Sequence, residues 1–271
     1  MPRKIDFETL DQKFPSMPPV ESKYLSRVPA CALFSGHCGS GKTVLAIDLI
    51  RKLRREGSVT RVFVISPTSS SNAVYNAICT SEKDWKLDLK PGAQVFDDVK
   101  KVEEACEGDS EQFYSDLEYS IARAKYTNGE DLNIHEEHLL ETRGYIKLYP
   151  KRPSPLLLVD DCVSSPIFST SPRNYMTQLA IRCRHIGMGL GLSIFFVTQS
   201  IRFIPRGIRL NASDWFVFKT SSAKELSILF EEVCSSIMGE EEFMRKFEFY
   251  THMPFGYAHI DTIKRVITDT Y

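Results

Sequence analysis

The sequence predicts an α/β protein built as a three-layer sandwich, with helices on both faces of a mainly parallel central sheet. Apolar runs of strand length, such as 61–65 and 156–159, alternate with stretches whose apolar spacing is helical. A glycine-rich turn joins the first such strand to the first helix at 36–41. The 271 residues are near the upper limit for one hydrophobic core, so we expect one large domain, with a small second lobe as the alternative.

The composition argues against a chain with a global basic charge, a zinc protein and a protein that spans a membrane. Hydrophobic residues make up 42% of the chain and charged residues 25%, as in ordinary globular proteins. The formal net charge is −1, so any contact with nucleic acid must come from local basic loops. The seven cysteines form no C-x-x-C pair, which argues against zinc and favours buried thiols in a reducing compartment. No apolar run is long enough to span a membrane, and we expect no membrane partner.

The first elements enclose a phosphate-binding motif. The run 31–34 is apolar and predicts a buried strand, and 44–53 has helical apolar spacing. Between them lies the spacing G-x-x-x-x-G-K-[ST], in the strand-turn-helix context that this motif requires. Its residues, called the phosphate loop below, are Gly36, His37, Cys38, Gly39, Ser40, Gly41, Lys42 and Thr43.

The chemistry of this motif predicts that the chain binds a nucleoside triphosphate, with ATP and Mg²⁺ as the expected cofactors. Glycines let backbone N–H groups approach phosphates, and the start of the helix adds its positive dipole end. Lys42 is expected to reach the β- and γ-phosphates, and the hydroxyl of Thr43 is expected to bind Mg²⁺. The alternative is a surface glycine turn that caps a helix.

The flanking regions organise the chain into an arm, a core and an insertion. Residues 1–28 are polar and contain prolines, so we expect an N-terminal arm, with the ATPase domain over 29–271. A second strand is predicted at 61–68, paired in parallel with the first and joined to it by a right-handed crossover. The stretch from about 80 to 150 is charged and helical in pattern, and we expect a helical insertion at the edge of the sheet.

Two acids follow the third core strand, 156–159. Asp160 ends an apolar strand, where the Mg²⁺-linked acid of phosphate-loop enzymes lies. Its carboxylate is expected at the carboxyl edge of the sheet, beside the phosphates. Asp161 points to another side of the strand end and can act as the general base on an attacking water. The alternative for this pair is an acidic turn after a buried strand.

The later elements add a polar residue and complete the sheet. A helix of about four turns is predicted over 173–185, followed by a strand at 192–199 that ends in Gln199. If this strand lies between the first and the third, Gln199 faces the γ-phosphate and the water; otherwise it only ends the strand. A fifth strand is predicted at 214–219. Two amphipathic helices and an edge strand around 256–260 follow it.

A strand between the loop strand and the acid strand separates this fold from the kinase and GTPase branch of P-loop NTPases. The pair Asp160 and Asp161, together with the polar Gln199 on a later strand, favours the branch whose members activate water, the ASCE-type and RecA-like ATPases. Members of this branch typically work as ring motors. A ring motor needs a cation supplied in trans to stabilise charge on the γ-phosphate. The candidates are Arg182, Arg184, Arg206 and Arg209, although Arg182 and Arg184 could instead complement a helix dipole.

The ordered motifs resemble viral genome-packaging ATPases of the poxvirus type, which belong to the FtsK–HerA superfamily. The resemblance spans about 29–262, and it is carried by the segments 36–43, 156–161, 184–185, 196–199, 208–211 and 253–261. It implies Mg²⁺-dependent ATP hydrolysis coupled to movement of double-stranded DNA into a viral capsid. By the same resemblance, Asp160 is the acidic residue that binds Mg²⁺, and Asp161 holds the position of the catalytic acidic residue. Gln199 is the sensor, which reports whether a triphosphate or a diphosphate is bound. Either Arg184 or Arg209 is the arginine finger, which one subunit supplies to the nucleotide site of its neighbour.

The resemblance also implies the partners. They are double-stranded DNA, a homo-oligomeric ring of five or six copies, and capsid proteins, in the host cytoplasm or virus factory or associated with the virion. DNA would be gripped through its phosphates, because a packaging motor must move any sequence. The candidate cations are Lys151, Arg152, Arg202, Arg206 and Arg209, with an ordinary solvated loop as the alternative. A cellular-type DNA translocase of the same superfamily, or a P-loop kinase, is the alternative function.

Overall fold

A computed structural model of the chain describes residues 18–89, 94–144, 147–163, 165–171 and 174–271. Within these residues, eight strands form one sheet in the order β3-β2-β4-β5-β1-β6-β7-β8. The strands are β1 Cys31–Ser35, β2 Arg61–Ser66, β3 Trp85–Asp88, β4 Pro155–Asp160, β5 Ser193–Thr198, β6 Asp214–Phe218, β7 Tyr257–Asp261 and β8 Val266–Thr268. The strands from β3 to β6 pair in parallel and the last two are antiparallel. The predicted mainly parallel sheet is confirmed.

Helices cover both faces of this sheet. They are α1 Lys42–Glu56, α2 Gln94–Asn128, α3 Ile134–Arg143, α4 Tyr175–Ile181, α5 Arg206–Arg209, α6 Ala223–Leu229 and α7 Glu240–Thr251. One buried cluster joins α1 to one face of the sheet, and a second joins α2, α4 and α7 to the other face. Alternate residues of each central strand enter the two clusters, so β4 is buried along its whole length. The predicted three-layer sandwich is therefore confirmed.

The strand order places β5 between β1 and β4. Leu33 of β1 lies opposite Phe196 of β5, and Val159 of β4 lies opposite the same residue. The intervening strand that we expected is therefore present. The expectation that β1 and β2 pair directly is wrong, because β4 and β5 lie between them. The crossover through α1 thus passes over two intervening strands.

Three further elements differ from the sequence prediction. The helix predicted over 173–185 ends at Ile181, and a separate 3₁₀ turn follows over Cys183–His185; residue 173 lies outside the described residues. This break lets the N–H of Leu192 donate to the carbonyl of Cys183 (2.8 Å), which leads the chain into β5. Strand β7 is not an edge, because β8 pairs with it. Strand β3, inside the predicted helical insertion, was missed.

The described part of the N-terminal segment, 18–28, lies against the sandwich. Leu25 and Val28 are buried in the same cluster as α1, and Val20 forms an isolated bridge to Val28. The first 17 residues of the predicted arm lie outside the described residues, so the division into arm and domain stays a prediction. Among the described residues, no helix combines the length and apolarity needed to cross a bilayer.

Candidate nucleotide site

The phosphate loop connects β1 to α1 at the carboxyl edge of the sheet. Gly39 and Gly41 have φ angles of 77° and 96°, which favour glycine. A Cβ atom at Gly36 would lie 2.6 Å from Ser40 Oγ and 2.8 Å from Phe218 Cβ, so this position has no room for a side chain. Glycine is therefore needed for both the curvature of the loop and its close packing.

The interior of the loop is arranged to receive an anion. Lys42 is 9% exposed, and its Nζ donates to the carbonyl of His37 (3.3 Å), which holds the ammonium group over its own loop. Within the described part of the chain, the hydroxyl of Ser40 is buried without a hydrogen-bond partner. The first N–H groups of a helix lack intrahelical acceptors, and α1 begins at Lys42. These donors fit a phosphate group.

Asp160, at the end of β4, faces the start of α1. Its Oδ1 lies 3.5 Å from Thr43 Oγ1, and its Oδ2 accepts a hydrogen bond from the Tyr75 hydroxyl (2.9 Å). Burial raises the pKa of Asp160 above its ordinary value, and the hydrogen bonds from Tyr75 and Thr43 oppose that rise. A buried carboxylate held beside a hydroxyl is short of positive charge, and a cation would supply it.

This pair fits Mg²⁺, which prefers hard oxygen ligands and usually takes one or two from protein and the rest from phosphates and water. Thr43 and Asp160 would hold the ion. Among the described residues, no group of three histidine, cysteine or acidic side chains could bind a metal without such help. The site therefore suits a metal that arrives with a nucleotide.

Asp161 and Gln199 meet beside Asp160. Asp161 is exposed and has a φ of 52°, a left-handed conformation that turns its carboxylate away from the strand. Its backbone N–H donates to Val197 O (3.2 Å), and Gln199 Nε2 donates to its Oδ1 (3.1 Å). Because β4 and β5 are neighbours, their carboxyl ends bring the two side chains together. The residue expected to be the general base, Asp161, is therefore hydrogen-bonded to the residue expected to be the sensor, Gln199.

Two residues at this edge were not singled out from the sequence. Tyr75 is 2% exposed in the 3₁₀ turn Ala73–Ala77, and burial raises the pKa of its hydroxyl, which stays a neutral donor to Asp160. Glu225 on α6 accepts from the hydroxyls of Ser200 and Thr220, which fastens the segment after Gln199 to the segment after β6. Tyr75 lies well beyond the end of the strand predicted over 61–68, so no local sequence pattern indicates its contact with Asp160.

The candidate arginines have different environments. Arg209 makes two hydrogen bonds to the Glu232 carboxylate (2.8 and 2.9 Å) and one to the carbonyl of Ile204 (2.9 Å). These bonds lower the pKa of Glu232. Arg209 is thus bound within its own chain, which weighs against its predicted role in trans. Arg182 is paired with Glu103 (2.9 Å), whereas Arg184 is exposed in the turn before β5.

The candidate DNA-contacting cations also divide. Arg152 donates to the carbonyls of Pro18 and Leu190, and Arg206 lies 3.3 Å from Glu232. Lys151 and Arg202 are exposed, and neither has an ion pair with any described residue. Arg202 lies three residues after Gln199, in the 3₁₀ turn Ile201–Phe203.

No protein-family model matches the sequence, and no curated protein matches it. The fold is similar to that of B204, the DNA-packaging ATPase from Sulfolobus Turreted Icosahedral Virus, with a TM-score of 0.57 and 11% identity over 90% of this chain and 97% of that chain. It is also similar to the genome-packaging NTPase B204 from Sulfolobus turreted icosahedral virus 2. The structure of that NTPase in complex with AMPPCP gives a TM-score of 0.53 and 13% identity, over 89% of this chain and 97% of that chain. Its structure in complex with ATP-gammaS gives a TM-score of 0.52 and 14% identity, over 89% of this chain and 96% of that chain. The fold is therefore that of the P-loop ATPases, as the sequence predicts.

Proposed function

We propose that this chain is a Mg²⁺-dependent ATPase that moves double-stranded DNA into a viral capsid as one subunit of a homo-oligomeric ring. One observation carries the hydrolytic part. The hydroxyl of Thr43, the carboxylates of Asp160 and Asp161, and the amide of Gln199 converge at one sheet edge, with β5 between the loop strand and the acid strand. The likeness of the fold to the packaging ATPase B204 supports the DNA-packaging part.

In this proposal, the loop side chains bind and the acid side chains activate water. Lys42 leaves the carbonyl of His37 and contacts the terminal phosphates. Thr43 and Asp160 would hold Mg²⁺, which would supply charge neutralisation on the phosphate oxygens. Asp161 accepts a proton from the attacking water once Gln199 turns from its carboxylate towards the γ-phosphate. The contact between Gln199 and Asp161 then describes the resting state of the site.

The remaining cation is proposed to come from a neighbouring copy. Arg184 lies at the amino end of β5, whereas Gln199 follows its carboxyl end. A strand of this length separates the two ends by about 20 Å, which is beyond the reach of an arginine side chain. Arg184 cannot serve its own site, and its exposed position suits contact with the site of the next subunit in a ring of five or six copies.

The proposed DNA contact uses the exposed cations near the hydrolytic edge. Arg202 follows Gln199 by three residues, so a movement of Gln199 with the γ-phosphate would be passed to Arg202 through a short segment. Phosphate contacts from Arg202 and Lys151 would grip DNA without reading its sequence. Capsid proteins as partners and a site of action in the host cytoplasm or virus factory belong to the same proposal.

The test measures ATP hydrolysis with and without long double-stranded DNA. It also measures the molecular mass of the protein assembly in the presence of nucleotide, which gives the oligomeric state. The proposal expects DNA-stimulated hydrolysis by an oligomer. Transfer of phosphate to a small acceptor by a stable monomer that ignores DNA would instead identify a kinase. Packaging itself is tested by protection of DNA from nuclease in the presence of empty capsids of the encoding virus; hydrolysis and DNA movement without such protection would indicate a cellular-type translocase.

A further inference from the structure

We infer that Tyr75 determines which metal ion the nucleotide site accepts, because its hydroxyl occupies one oxygen of the Asp160 carboxylate and thereby favours Mg²⁺ over Ca²⁺. The inference rests on the proposed function, since it takes a complex of metal and nucleotide on the phosphate loop as given. Tyr75 belongs to the 3₁₀ turn Ala73–Ala77, outside the phosphate loop and outside the strand ends that carry the acids and Gln199. It acts through Asp160 and is therefore a positioning residue.

The two oxygens of the Asp160 carboxylate have different neighbours. Oδ1 lies 3.5 Å from Thr43 Oγ1, whereas Oδ2 accepts a hydrogen bond from the Tyr75 hydroxyl at 2.9 Å. The Tyr75 hydroxyl also lies 3.3 Å from Ser66 Oγ. A phenol has only one proton to donate, and a charged acceptor forms the stronger hydrogen bond. Oδ2 is therefore occupied by Tyr75, and Oδ1 is the oxygen that remains on the side of Thr43.

Burial and anchoring hold Tyr75 in this contact. Tyr75 is 2% exposed and Asp160 is 3% exposed, so bulk water cannot replace the hydrogen bond between them. The N–H of Ile78 donates to the carbonyl of Tyr75 (3.1 Å), and the carbonyl of Ile78 accepts from Arg54 Nη1 (2.6 Å). Arg54 belongs to α1, the helix that also carries Thr43. The two neighbours of the carboxylate are thus fixed relative to each other.

A carboxylate with one oxygen already occupied suits Mg²⁺ better than Ca²⁺. Mg²⁺ is small, keeps several of its water molecules and needs few oxygen atoms from the protein. Ca²⁺ is larger, takes more oxygen ligands, and often binds both oxygens of one carboxylate. To offer Oδ2 of Asp160 to Ca²⁺, the chain would have to leave the buried hydroxyl of Tyr75 without its acceptor. The contact therefore penalises the larger ion and leaves Mg²⁺ almost unaffected.

The experiment measures the Kd of a fluorescent, non-hydrolysable ATP analogue for the full chain in Mg²⁺, in Ca²⁺ and in EDTA. The metal selectivity is the Kd in Ca²⁺ divided by the Kd in Mg²⁺, and for the unchanged chain we expect at least about tenfold. In Tyr75→Phe this selectivity should fall about tenfold, the scale of one hydrogen bond to a charged group, while the Kd in EDTA changes less than about twofold. Tyr75→Leu removes the same hydroxyl and should show the same fall.

Two control variants separate this effect from a general loss of packing. Tyr119→Phe is the matched control, because Tyr119 is 1% exposed on α2 and its hydroxyl donates to the carbonyl of Gly144 (2.6 Å). Ser66→Ala removes the other neighbour of the Tyr75 hydroxyl and keeps the hydrogen bond to Asp160. Both controls should keep the metal selectivity within about twofold of that of the unchanged chain.

The ratio of the two Kd values is informative because damage to packing alone would weaken binding in Mg²⁺ and in Ca²⁺ alike. A selectivity that stays the same in Tyr75→Phe, or that falls equally in Tyr119→Phe, would overturn the inference, as would an unchanged chain that binds equally well in both ions. If the unchanged chain binds no nucleotide in any of the three conditions, the proposed function falls with the inference. A chain that shows the expected selectivities but hydrolyses no ATP would contradict the proposed ATPase and leave the assignment of Tyr75 intact.

Discussion

The two sides of strand β1 differ in almost every physical respect. On the acid side, formed by Asp160, Asp161 and Gln199, the side chains are polar and hydrogen-bonded to one another or to the helix that follows the loop. On the aromatic side, formed by Phe218, Phe255 and Tyr257, they are apolar, and one ring stands exposed. If the proposed function is right, the division assigns the hydrolytic chemistry to one side of β1 and leaves the other side to contacts that only bind. Changes on the acid side should act on kcat, and changes on the aromatic side should act on KM.

The largest effect is expected at the loop itself, which both sides share. Lys42→Ala removes the buried ammonium group that we propose contacts the terminal phosphates, and we expect hydrolysis to fall at least about a thousandfold, with weakened nucleotide binding. Steady-state phosphate release and nucleotide displacement measure the two losses. Arg51→Ala, an exposed cation on the same helix, is the control. Appreciable turnover by the Lys42 variant would remove the loop from the mechanism.

The next effect tests whether the acid side is completed by a neighbour. Arg184→Ala should lower kcat about 10³-fold or more, the scale of a cation supplied in trans, without a change in nucleotide Kd. Mixing this variant with Lys42→Ala should restore part of the activity, because intact loops in one chain then meet intact Arg184 in the other.

Arg209→Ala is the comparison for that experiment. Its loss of the ion pair with Glu232 should lower the stability of the chain, and mixing with Lys42→Ala should restore activity no more than dilution explains. Rescue by mixing in the Arg209 variant, and none in the Arg184 variant, would reverse the assignment.

A smaller effect on kcat is expected from the proposed base. Asp161→Asn keeps the size of the side chain, and asparagine tolerates the left-handed φ of 52° as aspartate does. We expect kcat to fall about 10²–10⁴-fold, the usual contribution of a general base, while the Kd of ATP changes less than about threefold. Glu241→Gln, an exposed acid on α7, should change neither value. Normal turnover in the Asp161 variant would show that another group activates the water.

The acid side could be predicted from the sequence far better than the aromatic side. Asp160, Asp161 and Gln199 each follow an apolar run, and in a parallel sheet the ends of neighbouring strands meet at one edge. That rule needs only the order of the strands. Phe255 follows no such rule, because its place beside Gly41 depends on the turn between α7 and β7.

The arginines show a second reason for the limits of sequence reasoning. The partner of Arg209, Glu232, lies 23 residues away on the π-helical segment Phe230–Cys234, and no local pattern connects the two. Strand β3 was missed because its four residues are only half buried and two are charged, so the apolar signal is weak. Long-range ion pairs and short edge strands are decided by tertiary packing, which periodicity does not record.

The smallest effect concerns stability, and it separates Asp160 from the rest of the acid side. Because burial raises the pKa of Asp160 in the folded chain, its ionised form destabilises the fold, and this loss grows as the pH rises above about 4. Without nucleotide, Asp160→Asn should therefore raise Tm by a few degrees at about pH 7, and the gain should shrink towards pH 4–5. Thermal unfolding across this range measures the difference. Asp161→Asn, exposed and one residue away, should leave Tm unchanged. With Mg²⁺ and nucleotide, the unchanged chain should have the higher Tm, because only the native carboxylate gains the stabilisation that a bound ion provides. If Asp160→Asn instead lowers Tm in the absence of both, the carboxylate already has a compensating partner in the free chain.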